Sequence, residues 1–360
     1  MKFLYPYAHY PDKNVLEPIN AAAARLFPAL SRLDVNTLDI SDYSKKYLAK
    51  YVRNPRNTLQ RYSYILSLAT ACSPVPLDHC VFVEYGGGTG IMSLLAKELK
   101  IGTVIYNDIY DVSCSDARII GEALENQADY YVSGDLDDII TFLRKNSLSC
   151  DAIASYDVLE HIYDVELFLK TLPHLSEKGL TVAMSSGANA ANPFIRKSLV
   201  KRQLNVEYKD REKEWGHKER DSLRAYFSIR KEIISSHYQL TEREVDQLAR
   251  ATRGMIESDI RTCVDTYVKT HTFPPELSHP TNTCDPYTGN WAEHVMDPYS
   301  LARILSECGF ETAVLTGYYG RYSQGALRIG TTLLDLSISL LGRYGITVAP
   351  FYTVYGRTAV

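Results

Sequence analysis

The sequence predicts an α/β protein on a Rossmann-like, doubly wound sheet of seven strands, the last one antiparallel. Three observations carry that prediction. Residues 81–83 are a short apolar run that reaches Glu84, breaks into Gly86, Gly88 and Gly90, and continues into residues 91–99 with leucines at helical spacing. That order reads as strand, glycine turn and helix. Further short apolar runs end near acidic residues, at Asp108 and Asp135, and a fourth run spans residues 150–156. Strand and helix patterns then alternate up to TVAMSS at 181–186.

The glycine spacing bears on the ligand. A dinucleotide fold opens G-x-G-x-x-G and takes pyrophosphate on the helix N-terminus. Here the glycines run G-x-G-x-G after a carboxylate, which repels pyrophosphate and suits a cation. The segment VFVEYGGGTG resembles the first motif of class I S-adenosylmethionine-dependent methyltransferases, whose cofactor carries an ammonium and a sulfonium and no phosphate. The resemblance implies that Glu84 binds the methionine end, with Gly86, Gly88 and Gly90 close to the cofactor. Asp108 stands about 20 positions beyond the glycines, where an acid accepts hydrogen bonds from a ribose diol; a turn or cap aspartate is the alternative. In the resembling family an aspartate after the third strand meets the adenine amine and the next residue packs on the ring. This implies those roles for Asp135 and Leu136, with Asp137 and Asp138 read as helix caps. YDVLEHI, from Tyr156, is similar to the family's fourth motif, which faces the transferring methyl group. Tyr156 would then line the sulfonium.

The chain divides into four stretches on this reading. Residues 1–76 are an N-terminal helical segment, with helices over 20–33 and 41–68. Tyr43, Tyr47 and Tyr51 share one helical face and are read as core packing in preference to a pocket lid. Residues 77–187 form the cofactor-binding core. Residues 188–298 are too long for a connection and read as a helical insertion on the substrate side. Its charge runs are solvated helix faces, with assembly into a homo-oligomer as a competing use. Residues 299–360 complete the sheet. The apolar helix over 327–344 is expected to pack on the core, a membrane surface being the alternative.

Composition narrows the setting. The chain has 360 residues, 45% hydrophobic and 23% charged, ordinary for a globular protein. A net charge of −4 gives no footprint for nucleic acid. Seven scattered cysteines, none in C-x-x-C spacing, form neither a zinc signature nor a disulfide framework, and point to a reducing cytoplasm. No uncharged run approaches the roughly 20 residues that span a bilayer. The 27 tyrosines stand out, since a buried phenol still needs a hydrogen-bond partner.

Methyl transfer is a displacement at an activated carbon, and an alcohol acceptor benefits from a general base. His161 is the first candidate, since an unperturbed imidazole titrates near neutrality; a structural histidine is the competing reading. Asp157, Glu160 and His161, at i, i+3 and i+4, are expected to share a helical face. They could ligate a divalent metal such as magnesium with His217 or His294, although many family members carry the same L-E-H without one. The loop GNWAEH gathers Trp291, Glu293 and His294, which suits a hydroxylated ring; a tryptophan anchoring the loop is the alternative. The expected function is therefore methyl transfer to a small molecule, with a sugar or sugar-linked hydroxyl of carbohydrate biosynthesis as first choice. An N- or C-methyltransferase, a non-catalytic binding protein on the same fold and a nicotinamide oxidoreductase are the alternatives.

Overall fold

The structure, a computed structural model, describes residues 3–4, 15–214, 221–275, 282–320 and 326–358, those at 326–328 by backbone only. The chain forms two compact units. The first comprises Met1–Leu159, Glu166–Gly187 and Asp297–Val360; the second comprises Glu160–Val165 and Ala188–Met296.

The first unit opens with helices α1 (Leu16–Arg32), α2 (Asp42–Arg53) and α3 (Pro55–Thr70). One helix is expected over 41–68, but the chain makes two. Pro55 cannot donate to a helix interior and instead starts α3 at its first position. Asn54 caps that helix, its side chain accepting from the Asn57 N–H. The buried residues of α2 are Ser44 and Leu48, so Tyr43, Tyr47 and Tyr51, one position back on the helix, are only half-buried. They border the core and do not form it.

The sheet then builds in chain order. Strand β1 (Val81–Glu84) leads into α4 (Ile91–Glu98), β2 (Thr103–Asp108) into α5 (Asp111–Ala123), and β3 (Tyr130–Ser133) into α6 (Leu136–Lys145). Next come β4 (Ala152–Tyr156), α7 (Val165–Thr171) and β5 (Thr181–Ser186). The seven strands lie in the order β3-β2-β1-β4-β5-β7-β6, with β6 (Phe310–Thr316) and β7 (Tyr352–Thr358) closing one edge. Strands β1 to β5 pair in parallel, and β7 is antiparallel to both β5 and β6. The central strands β1, β4 and β5 are buried along nearly their whole length, as parallel strands covered on both faces must be. The order of strand addition reverses between the parallel neighbours β1 and β4, so the carboxyl ends of these strands open the crevice where such sheets hold ligands.

Helices α8 (Pro193–Tyr208), α9 (Tyr226–His237), α10 (Glu242–Ala251) and α11 (Glu257–Thr270) make the second unit. Ile229, Ile233, Val245, Leu248, Ile260 and Val264 form its core. Inside it Arg230, 0% exposed, pairs with Glu207, 1% exposed. The Thr283 hydroxyl also donates to Glu207 at 2.6 Å, and Arg230 Nε donates to the Ala249 carbonyl at 2.9 Å. One arginine of the charge-rich run is thus inside the unit, kept there by a complete set of partners.

In the first unit, α12 (Pro298–Glu307) precedes β6 and α13 (Ala326–Leu341) follows it. The expectation that α13 packs its apolar face on the core is not met. Ile338 is buried, but Ile329, Leu333, Leu336 and Leu340 are exposed. Among the described residues no helix is long and apolar enough to cross a membrane.

Candidate functional site

The turn after β1 is built from backbone that other residues adopt at a cost. Gly86, Gly88 and Gly90 have φ of +64°, +54° and +74°, the left-handed region where glycine carries no Cβ penalty. A Cβ at Gly86 would lie 2.7 Å from the Val158 side chain, whereas one at Gly88 would meet nothing within 4 Å. Gly88 therefore turns its bare side to open space, where a ligand can approach the backbone. Gly90 is the N-cap of α4, and that helix start meets Glu84. The Glu84 carboxylate, 1% exposed, accepts from the Ser93 N–H at 2.7 Å and from the Ser93 hydroxyl at 2.5 Å, both through Oε2. Oε1 is buried without a hydrogen-bond partner. Burial pushes the carboxyl up to about 7, against the lowering effect of the Ser93 bonds and the Met92 backbone N–H.

Strand β2 supplies the second wall. Asp108 Oδ2 accepts from the Gly88 N–H at 3.0 Å and Oδ1 from the Tyr110 N–H at 3.1 Å. Tyr106 donates to the Gly88 carbonyl at 2.6 Å, and the Asn107 carbonyl accepts from the Gly87 N–H at 2.8 Å. The buried Asn107 amide also reaches the carbonyls of Val132 and Gly134, tying the ends of β2 and β3 together. Asp135 is the N-cap of α6. Its Oδ1 accepts from the Asp137 and Asp138 N–H groups, and the Asp138 side chain returns a bond to the Asp135 N–H. The cap is thus Asp135 itself, with Asp138 completing a capping box, which corrects the assignment of capping to Asp137 and Asp138. Asp135 is exposed and Leu136 beneath it is buried.

The N-terminal helices close over these strand ends. Ser41, the N-cap of α2, donates its hydroxyl to the buried Asp116 of α5. Burial, the neighbouring Tyr47 phenol and the Asp108 charge together raise the Tyr43 pKa. On α3, Arg61 Nη1 donates to the Tyr156 hydroxyl at 2.7 Å, and the Tyr62 ring lies 5.3 Å from that of Tyr156. Burial raises Tyr156 above the usual phenol range, with the Asp157 charge adding to it. Arg61, Ser93, Tyr106 and Asn107 were not singled out from sequence. Ser93 alone carried a local signal, as the third helical residue beyond the glycine turn.

The remaining sequence candidates are distributed differently from expectation. Asp157 lies outside any helix at φ +55° and accepts from the Gly187 N–H at 2.8 Å. Leu159–His161 form a single 3-10 turn. The shared helical face needed for joint metal ligation by Asp157, Glu160 and His161 is therefore absent. Among the described residues no group of three His, Cys, Asp or Glu could hold a metal ion; His217 lies outside the described residues. In the second unit Glu160 is buried, and its carbonyl accepts from the His294 N–H at 3.0 Å. His161 Nδ1 stands 3.1 Å from the Trp291 carbonyl. The Trp291 indole is 7% exposed, stacks with His294 at 4.0 Å and Tyr163 at 6.0 Å, and donates to the Tyr163 carbonyl. It anchors the loop and offers little ring to a sugar. Glu293 pairs with Arg202.

No family model matches the chain, and no curated protein does. Solved structures give distant likenesses. The chain is similar to one in the complex between the Haloferax volcanii Trm112 methyltransferase activator and a candidate methyltransferase, at 13% identity and a TM-score of 0.41, covering 88% of this chain and 96% of that one. An S-adenosylmethionine-dependent methyltransferase from Mesorhizobium loti shares 14% identity at a TM-score of 0.35, covering 79% and 93%. PKMT2 from Rickettsia typhi in complex with AdoHcy shares 14% at 0.38, covering 82% of this chain and 52% of that one. Likenesses this distant carry no argument about activity.

Proposed function

We propose that the chain is a class I S-adenosylmethionine-dependent methyltransferase acting on a small-molecule acceptor. The observation that supports this best is Glu84: a buried carboxylate at the end of β1 with one oxygen unpartnered, beside a glycine whose bare face is open. A cationic ligand that needs close backbone approach fits that pair. Glu84 Oε1 would accept from the methionine ammonium, Asp108 from the ribose hydroxyls, and the exposed Asp135 from the adenine amine, with Leu136 under the ring. The Gly86–Gly88–Gly90 backbone would lie along the cofactor, and Tyr156 would line the sulfonium. When bound, the cofactor supplies an electrophilic methyl group.

His161 is the proposed general base for a hydroxyl acceptor. The Trp291 carbonyl can only accept, so it holds the proton on Nδ1 and leaves Nε2 as the basic nitrogen of the neutral ring. The second unit would carry the acceptor side, and a sugar or sugar-linked hydroxyl is the narrower form of the proposal. The covered Trp291 ring removes one of its supports.

Calorimetric titration with S-adenosylmethionine, S-adenosylhomocysteine and NAD tests the reading. Both sulfur cofactors should bind and NAD should not; binding of NAD alone would overturn it. Replacing His161 by Ala should lower turnover more than cofactor affinity, and unchanged turnover would remove His161 as the base.

A further inference from the structure

Helix α3 packs on β4 and β5 and brings one cation there. Arg61 uses a single N–H, donated to the Tyr156 hydroxyl. It is partly buried, and among the described residues it has no carboxylate in ion-pair range. Its charge is felt by Tyr156 at the end of β4, by Tyr318 beyond β6 and by Asp157 after β4. A guanidinium carries five donors in a rigid fork that matches carboxylate and phosphate oxygens. A half-desolvated one without an anion is left undersatisfied.

The strand ends under α3 share that lack. Tyr156 is in register with Ser185 of β5, and Ser185 with Thr353 of β7, so the three side chains lie on one face of the sheet, the face that Arg61 and Tyr62 cover. Ser185 and Thr353 are fully buried with unpartnered hydroxyls, and on α3 the buried Gln60 amide and Ser63 hydroxyl are unpartnered too. Polar groups buried in this number without partners point to a polar ligand. They belong to β4, β5, β7 and α3, whereas Glu84, Asp108 and Asp135 stand at the ends of β1, β2 and β3.

We propose that Arg61 anchors an anionic group, a carboxylate or a phosphate, of the small molecule to be methylated, so that the acceptor is an acid. The proposal rests on the methyltransferase reading above, and the Tyr156 phenol is its positioning partner: it orients the guanidinium and leaves four N–H donors to the ligand. The competing source of the same chemistry is the methionine carboxylate of the cofactor.

The test is calorimetry on the full chain with benzoate, its neutral counterpart benzamide, and inorganic phosphate, each with and without S-adenosylhomocysteine. At least one anion should bind saturably. If it is benzoate, benzamide should bind at least about tenfold more weakly. Arg61→Gln should abolish anion binding, and Arg61→Lys, which keeps the charge and controls for folding, should retain part of it. S-adenosylhomocysteine affinity should stay within about twofold in both variants. No saturable binding of either anion, or binding that survives Arg61→Gln, overturns the proposal. So does a loss of S-adenosylhomocysteine affinity in Arg61→Gln with 5′-methylthioadenosine affinity intact, which would assign Arg61 to the cofactor's carboxylate. A wild-type chain that binds no S-adenosylhomocysteine breaks the underlying reading instead, and the anion titrations run without it still decide Arg61.

Discussion

Two glutamates, one in each unit, are equally hidden and differently served. Glu207 of α8 has Arg230 and the Thr283 hydroxyl against its carboxylate. Glu84 at the end of β1 has hydrogen bonds from Ser93 on one of its two oxygens and, beyond these, only the influence of the Met92 backbone N–H. The first is a finished internal pair. The second has no cation beside it among the described residues, and burial lifts its pKa against the lowering of its backbone and hydroxyl neighbours. On the proposed function, the contrast would separate a carboxylate kept for structure from one kept for a ligand.

The largest effect should come from breaking the finished pair. Arg230→Met leaves the buried Glu207, for a cation, only the longer contact to Arg253, at 3.9 Å, and should cost about 3–5 kcal/mol, read as a fall in the denaturant midpoint. Adding Glu207→Leu should recover much of it, and no recovery would show that the pair does more than balance its own charges. Glu84→Gln should behave oppositely. Stability should hold or rise, because an amide is cheaper to bury than a carboxylate. Affinity for S-adenosylmethionine should fall about tenfold or more, the loss of a charge-assisted bond. A drop in stability with intact affinity would make Glu84 structural after all.

Acidity sharpens the comparison further. The Glu84 pKa is raised from 4.5 to about 7 in the folded chain, so the folded state holds a proton that the unfolded state releases. Its contribution to stability is therefore best below 4.5, declines as pH rises to about 7, and is level above that. Affinity for the cationic cofactor should move the other way, rising about tenfold between about pH 6 and about pH 8. Titrations of wild type and Glu84→Gln across that range should differ by this slope; parallel curves would remove Glu84 from the site. The smallest effect on the fold belongs to Gly88→Ala. Its Cβ meets no protein atom, so only the positive φ is penalised, by about 1–2 kcal/mol. A loss of cofactor affinity beyond the stability loss would place the ligand against that face.

What the sequence made legible was local. Glu84, Gly86, Gly88, Gly90 and Asp108 lie within one strand-turn-helix-strand unit, where spacing alone determines which backbone must be left-handed and which carboxylate ends a strand. Asp135 was found for the same reason, and its cap was misassigned by two residues because a capping box looks alike from either end. Arg61 was invisible, because its meaning depends on Tyr156, 95 positions away, and on having no anion beside it. The tyrosines of α2 lie at the margin of the core, with Tyr51 packed against it, because rings one step off a buried face repeat with the same period as rings on it. Asp157, Glu160 and His161 suggested a helical face that a positive φ and a three-residue turn exclude. The apolar run of α13 shows that amphipathic periodicity reports a face and not what covers it.

The division of the chain also bears on inheritance. The backbone passes between units four times, at 159/160, 165/166, 187/188 and 296/297. A recombination that exchanged residues 188–296 for those of another protein would strand residues 160–165 in the old lineage. His161 would lose the Trp291 carbonyl, and Tyr163 the Asp259 carboxylate to which its hydroxyl donates. The hexapeptide and the long stretch therefore have to vary together, and selection on either reads out the other.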